Sequence, residues 1–144
     1  MIWLLRHGEA GDGSPDAERP LTESGVEQSR AAGAALARLG VRPDACLTSP
    51  RVRAADTARL ACEPLGLEPR VEERLSGGDF DPDELAAGLG DEVMLVGHEP
   101  DLSEAARRLT GARVDLKKGG LAAIGDSHLL LLLRPAELRA IAHG

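Results

Sequence analysis

The sequence predicts an α/β fold, a three-layer sandwich in which helices flank a mostly parallel central sheet. Two observations predict it. Apolar runs of strand length alternate with longer helix-like segments along the chain, the order that builds parallel sheets through helical crossovers. The last two apolar runs are joined only through Gly125-Asp126-Ser127, which closes an antiparallel hairpin. At 144 residues the chain has room for one compact domain, expected to span residues 1–144, with a substantial core. Trp3 and Phe80 are its only aromatics, so that core is built from Leu, Val, Ile and Ala.

The first run, residues 1–5, reads as a buried strand that delivers Arg6. Residues 11–20 are a loop by their Gly, Asp, Ser and Pro content. Thr22 stands where an N-cap belongs, ahead of an Ala-rich helix that runs through Leu39 and stops at Gly40. Residues 45–48 read as a second strand. Ser49-Pro50 predicts a second helix, with Ser as N-cap and Pro at the first helical position, extending to about Cys62. Val71-Glu72 is a brief strand, residues 76–82 a loop and residues 83–89 a short helix. The apolar run 92–96 precedes Gly97-His98-Glu99-Pro100 and a helix over 101–109. Residues 120–124 and 128–133 form the hairpin strands, and a short helix follows Pro135.

Composition excludes several classes. A formal net charge of −7 offers no basic footprint for nucleic acid. No stretch approaches the roughly 20 apolar residues of a membrane span, and the opening apolar run is too short for a secretory signal. A cytoplasmic location, with no membrane or nucleic-acid partner, is expected. Cys46 and Cys62 lie too far apart for a CxxC pair and read as reduced core thiols.

Three of the inferred parallel strands end in related chemistry. The first runs into Arg6-His7-Gly8-Glu9, the second into Ser49-Pro50 with Arg51 and Arg53 just beyond, and the later one into Gly97-His98-Glu99. In an open α/β sheet, ligands bind outside the carboxyl ends of the strands. Two imidazoles and at least two guanidiniums are therefore expected to share one crevice. Guanidinium forks match phosphate oxygens, and helix N-termini after Ser49 and Pro100 add backbone donors. A neutral imidazole among such cations can attack phosphorus, because nearby positive charge lowers its proton affinity.

The stretches Leu5-Arg6-His7-Gly8-Glu9-Ala10, Arg19-Pro20-Leu21-Thr22, Thr48-Ser49-Pro50-Arg51-Val52-Arg53-Ala54 and Val96-Gly97-His98-Glu99-Pro100-Asp101 resemble, in order and spacing, the histidine phosphatase superfamily. The short length and the Lys117-Lys118-Gly119-Gly120-Leu121-Ala122 segment are most similar to its small branch, the SixA-type phosphohistidine phosphatases. The resemblance implies a phosphoglycerate mutase-like fold. It implies that His7 is the nucleophile that is transiently phosphorylated, that Arg6 and Arg53 hold the phosphoryl oxygens, and that His98 donates a further hydrogen bond to them. Arg53 is preferred to Arg51 because the family's arginine directly precedes Ala. Arg19 matches an arginine that contacts substrate.

The implied substrate is a phosphohistidine on a protein such as a histidine-containing phosphotransfer domain, hydrolysed without metal or organic cofactor. A broad or small-molecule phosphomonoesterase is the alternative, and a silent phosphate-recognition module on the same fold is another. A metal hydrolase built on His7 and His98 fares poorly, since adjacent arginines repel a cation. The proton donor to the leaving group is open among Glu9, Glu73, Asp79 and Asp81. Lys117 and Lys118 either line the crevice or occupy a plain surface turn. His128 and His143 read as surface or packing residues.

Overall fold

Six strands form one sheet in the computed structural model, which describes residues 1–144. They are β1 (Ile2–Arg6), β2 (Ala45–Thr48), β3 (Arg70–Val71), β4 (Val93–Gly97), β5 (Leu121–Gly125) and β6 (His128–Leu133). Their spatial order is β3-β2-β4-β1-β5-β6. The first four run parallel, while β5 pairs antiparallel with both β1 and β6. The helices are α1 (Glu23–Arg38), α2 (Val52–Cys62), α3 (Pro82–Ala86), α4 (Asp101–Thr110) and α5 (Pro135–His143).

Strand alternation assigns each apolar side chain to a face. Trp3, Leu5, Cys46, Met94, Val96, Leu121 and Ala123 pack beneath α1, α2 and α5. Ile2, Leu4, Leu47, Val93, Leu95, Ala122 and Ile124 pack against Leu85 of α3 and Leu102, Ala105 and Ala106 of α4. This is the expected three-layer sandwich. Because the central strands are buried on both faces, they read in sequence as unbroken apolar runs. No helix is long and apolar enough to cross a membrane.

Most predicted elements fall within a residue or two of the observed ones. Thr22 caps α1 by accepting from Gly25 N–H, and Gly40 ends it with φ of 74°. Three boundaries need correction. Helix α2 begins at Val52, two residues later than Pro50 predicts, because the Ser49 hydroxyl is engaged by His98 and Arg51 stays extended (ψ 136°). The short helix spans Pro82–Ala86 and not 83–89, since the Asp81 carboxylate accepts from Asp83 and Glu84 N–H and starts it early. The brief strand is Arg70–Val71, because Glu72 instead accepts from Arg74 N–H and opens a 3-10 turn, Glu73–Leu75. A second 3-10 turn, Asp16–Glu18, interrupts the loop 11–20. Cys46 and Cys62 are free and buried, and their mutual contact and burial push the Cys46 thiol up.

Candidate active site

Backbone register brings the three polar strand ends level. Arg6 pairs with Gly97, and Thr48 pairs with Val96. The ladder continues past the strands: His7 N–H donates to Gly97 O at 3.1 Å and Ser49 N–H to Val96 O at 3.0 Å. Gly119 N–H, in the turn before β5, donates to His7 O at 2.9 Å. The His7 and His98 rings consequently face each other with centroids 5.2 Å apart. Both are buried, at 7% and 8% exposure, and so is Arg53, at 8%.

Each imidazole has its tautomer set by one hydrogen bond. His7 Nδ1 lies 2.7 Å from Gly8 O, and a carbonyl can only accept, so the proton sits on Nδ1 and the Nε2 lone pair is free. His98 Nε2 lies 2.7 Å from Ser49 Oγ, which itself accepts from Arg51 N–H at 3.2 Å. Nε2 is the only acceptor that the Ser49 hydroxyl proton meets, and with the hydroxyl donating to it the His98 proton sits on Nδ1. His98 Nδ1 and Arg6 Nε are buried without a protein partner. Buried donors are rarely left so, and an anion is the kind of group that could satisfy both. Burial, the Arg53 and Arg6 charges and Lys118 depress the His7 pKa to about 4, against the opposing bond to Gly8. Burial, His7 and Arg53 depress His98 to about 3. Both rings are neutral at pH 7.

The guanidiniums are anchored individually. Arg6 Nη1 donates to Leu116 O at 2.9 Å. Arg53 Nη1 donates to Asp16 O at 2.9 Å, and Nη2 to Asp16 Oδ2 at 3.2 Å. The Asp16 carboxylate also receives Arg19 Nη1 at 3.1 Å and Arg51 Nη1 at 2.5 Å. The Arg19 hydrogen bond, followed by Arg53, holds the Asp16 carboxyl below its ordinary range. The loop carrying Asp16 lies across this end of the sheet, and no surface cavity is lined by His7, Arg6, Arg53 or His98.

The remaining sequence candidates separate. Glu9 turns away, its Oε1 accepting from Thr22 Oγ1 at 3.3 Å. Asp81 is spent capping α3. Asp79 is exposed beside Phe80, Asp101 and Arg108. Glu73 is exposed on the 3-10 turn that Arg51 Nε grips through Ser76 O at 2.7 Å. Lys118 is near enough to depress His7, whereas Lys117 pairs with Asp115 at 2.8 Å. No group of three or more His, Cys, Asp or Glu side chains is arranged to hold a metal ion.

Four residues at the site were not singled out from the sequence for the positions they hold. Asp16 lies in a loop of ordinary composition, Arg51 lacks the following Ala that favours Arg53, and Ser49 has the sequence position of a helix cap. Thr57 joins two elements: its Oγ1 accepts from Gly8 N–H at 3.0 Å and donates to Arg53 O at 2.7 Å. Gly8, two residues past β1, and Thr57 on the buried face of α2 carry no separate signal, because the contact spans 49 positions.

The sheet order and layer arrangement define an α/β protein of the phosphoglycerate mutase-like fold. The protein histidine phosphatase SixA complexed with tungstate superposes with a TM-score of 0.83 at 23% identity, covering 95% of this chain and 98% of that one. A SixA protein from Nakamurella multipartitia gives 0.71 at 27% identity, over 96% and 88%. In sequence, an uncharacterized protein of Picosynechococcus is 34% identical over 161 residues, covering 95% of this chain and 98% of its own. The 2,3-bisphosphoglycerate-dependent phosphoglycerate mutase of Sinorhizobium fredii is 33% identical over 125 residues, covering 78% of this chain and 57% of the mutase. The family model for branch 1 of the histidine phosphatase superfamily matches residues 2–88, and the chain belongs to that superfamily.

Proposed function

We propose that the protein is a phosphohistidine phosphatase that works through a covalent phospho-His7 intermediate. The observation that carries this reading is the His7 ring itself. Its Nδ1–H is committed to Gly8 O, its pKa is held near 4, and its free Nε2 stands among cations and the unpaired donors Arg6 Nε and His98 Nδ1. Nε2 attacks phosphorus in line. The bond to Nε2 forms, the bond to the leaving nitrogen breaks, and the departing imidazole leaves neutral, with a proton taken from solvent water. Water then attacks the phosphoryl group on His7, releasing phosphate and restoring the neutral ring. Arg6, Arg53 and His98 hold the three equatorial oxygens, so positioning and charge supply most of the rate. Arg19 contacts the substrate from the loop.

A phosphoramidate suits the site because its P–N bond needs less acid assistance than a phosphate ester. Of the four carboxylates considered as donor, two are hydrogen-bonded elsewhere. The likeness to SixA proteins supports a phosphorylated protein as substrate, with a histidine-containing phosphotransfer domain a suitable class. The mutase relatives support a second reading, a small-molecule phosphomonoesterase. One comparison separates them: hydrolysis of a phosphohistidine protein and of an aryl phosphate by wild type and His7→Ala. The phosphohistidine protein is expected to be preferred and the variant to lose at least 10³-fold in kcat, the scale of removing a covalent nucleophile. Undiminished turnover by the variant overturns the mechanism, and preference for the ester overturns the substrate. No turnover of either by wild type leaves a phosphate-recognition module.

A further inference from the structure

The proposed phosphoryl site uses His7, Arg6, Arg53 and His98, and it leaves open which part of a substrate Arg19 meets and gives Arg51 beside it no task. Asp16 is gripped by Arg19, Arg51 and Arg53, three guanidiniums on one carboxylate. We propose that Arg19 and Arg51, with the outer edge of Arg53, form a carboxylate-binding subsite, filled by Asp16 in the free protein and by a carboxylate of the substrate in the complex. The proposal rests on the phosphatase reading for its substrate, but its binding test does not.

Three features argue for a built subsite and against a chance surface ion pair. First, the arginines are fixed without Asp16. Arg19 Nε donates to Gly11 O at 2.8 Å and Arg51 Nε to Ser76 O at 2.7 Å. Both bonds orient the guanidinium plane and leave the Nη groups presented as a fork, the geometry that binds carboxylates. The side chains are 30% and 31% exposed, so a ligand can reach the forks when Asp16 departs.

Second, the Asp16 carboxylate is the more exposed partner. Its side chain is 54% exposed, on a three-residue 3-10 turn whose leading residue, Pro15, makes no side-chain cap. Exposed ion pairs are individually weak and exchange readily. A substrate already held by its phosphoryl group presents its own carboxylate at high effective concentration and displaces Asp16. Third, three cations facing one carboxylate leave a positive surplus. A second anion is attracted there although the whole chain carries −7.

Arg53 ties the two sites together, since its Nη2 reaches Asp16 Oδ2 while it is the arginine proposed to hold the phosphoryl group. The favoured ligand is therefore a phosphoryl compound with a carboxylate within one guanidinium's width. That chemistry exists in small phosphorylated acids and in phosphohistidine flanked by Asp or Glu.

The test uses the full chain in a His7→Ala background, which blocks turnover. Dissociation constants for phosphoglycolate and for ethyl phosphate are measured by calorimetry at 0.15 M salt. Phosphoglycolate is expected to bind at least tenfold more tightly. Adding Arg51→Gln should bring the ratio close to one, and Arg51→Lys, which keeps the charge but not the fork, should lose most of it. Adding Asp16→Asn should strengthen phosphoglycolate binding by removing the internal competitor. A parallel arm compares phosphohistidine peptides carrying Asp or Asn beside the modified residue. Discrimination in either arm, abolished by Arg51→Gln, supports the subsite and identifies its source. Equal binding within both pairs, or a ratio that survives Arg51→Gln, overturns it. Carboxylate discrimination with no turnover by wild type would defeat the phosphatase reading and leave the subsite standing.

Discussion

At the scale of single residues, the site is governed by which proton sits on which nitrogen. The proposed nucleophile has one nitrogen occupied by Gly8 O, and its partner ring has one occupied by Ser49 Oγ. Ser49 is thus a positioning residue: it touches no substrate in this scheme, but it fixes the tautomer that turns His98 Nδ1–H toward the crevice. Ser49→Ala is expected to lower kcat for phosphoryl release about tenfold, the worth of one hydrogen bond of roughly 1.4 kcal/mol. Substrate KM should change less than kcat, because the arginines still bind the ground state. An unchanged kcat, with the variant folded by circular dichroism, would mean that packing alone orients His98.

At the scale of elements, the crevice depends on close approach between the segment after β1 and the start of α1. A Cβ added at Gly25 would meet Glu9 O at 2.1 Å, and one added at Gly8 would meet Gly25 O at 2.5 Å. Both obstacles are backbone, so neither substitution is relieved by a rotamer change. Gly25→Ala should therefore push α1 from the segment that carries His7, costing about 1–3 kcal/mol, an overpacking penalty. Gly11→Ala, whose added Cβ would find only ordinary contacts at 3.9 Å, should stay within about 0.5 kcal/mol. Urea denaturation of the two variants checks this, and equal midpoints would refute the close-packing argument. The same elements show what a sequence can disclose. Strands β1, β2 and β4 were legible because burial on both faces demands unbroken apolar runs, and the residues that follow them were legible as a cluster because parallel strand ends share a side. The start of α2 was not legible, because whether Ser49 caps a helix or bonds His98 is decided by a partner 49 positions away. Asp16 was illegible for the same reason: an aspartate in a Pro-containing loop looks alike whether it faces water or three arginines.

At the scale of the whole molecule, two buried neutral imidazoles make folding stability depend on pH in a window that other groups leave clear. The folded-state pKa values of His7 and His98 are about 4 and about 3, against an ordinary imidazole value of 6.5. Below pH 6.5 the unfolded chain therefore binds protons that the folded chain refuses, and stability must fall as pH falls, until the folded rings themselves protonate. The carboxylates held low by arginine or lysine partners, Asp16, Glu72, Asp115 and Glu137, act later. Their ordinary values are 3.8 or 4.5, so their contribution is present above that range and lost only below it. Between pH 6.5 and pH 5 the slope thus belongs to the histidines. Each imidazole should cost on the order of 2 kcal/mol across that interval, from 1.36 kcal/mol per pH unit. Urea unfolding in phosphate-free buffer at pH 7 and pH 5 is expected to show a fall of a few kcal/mol in wild type and a much smaller one in a His7→Gln, His98→Gln double variant. A wild-type stability that does not change between those pH values, or an equal fall in the double variant, would show that the rings are not held neutral by the fold. The free lone pair on His7 would then lose its physical basis.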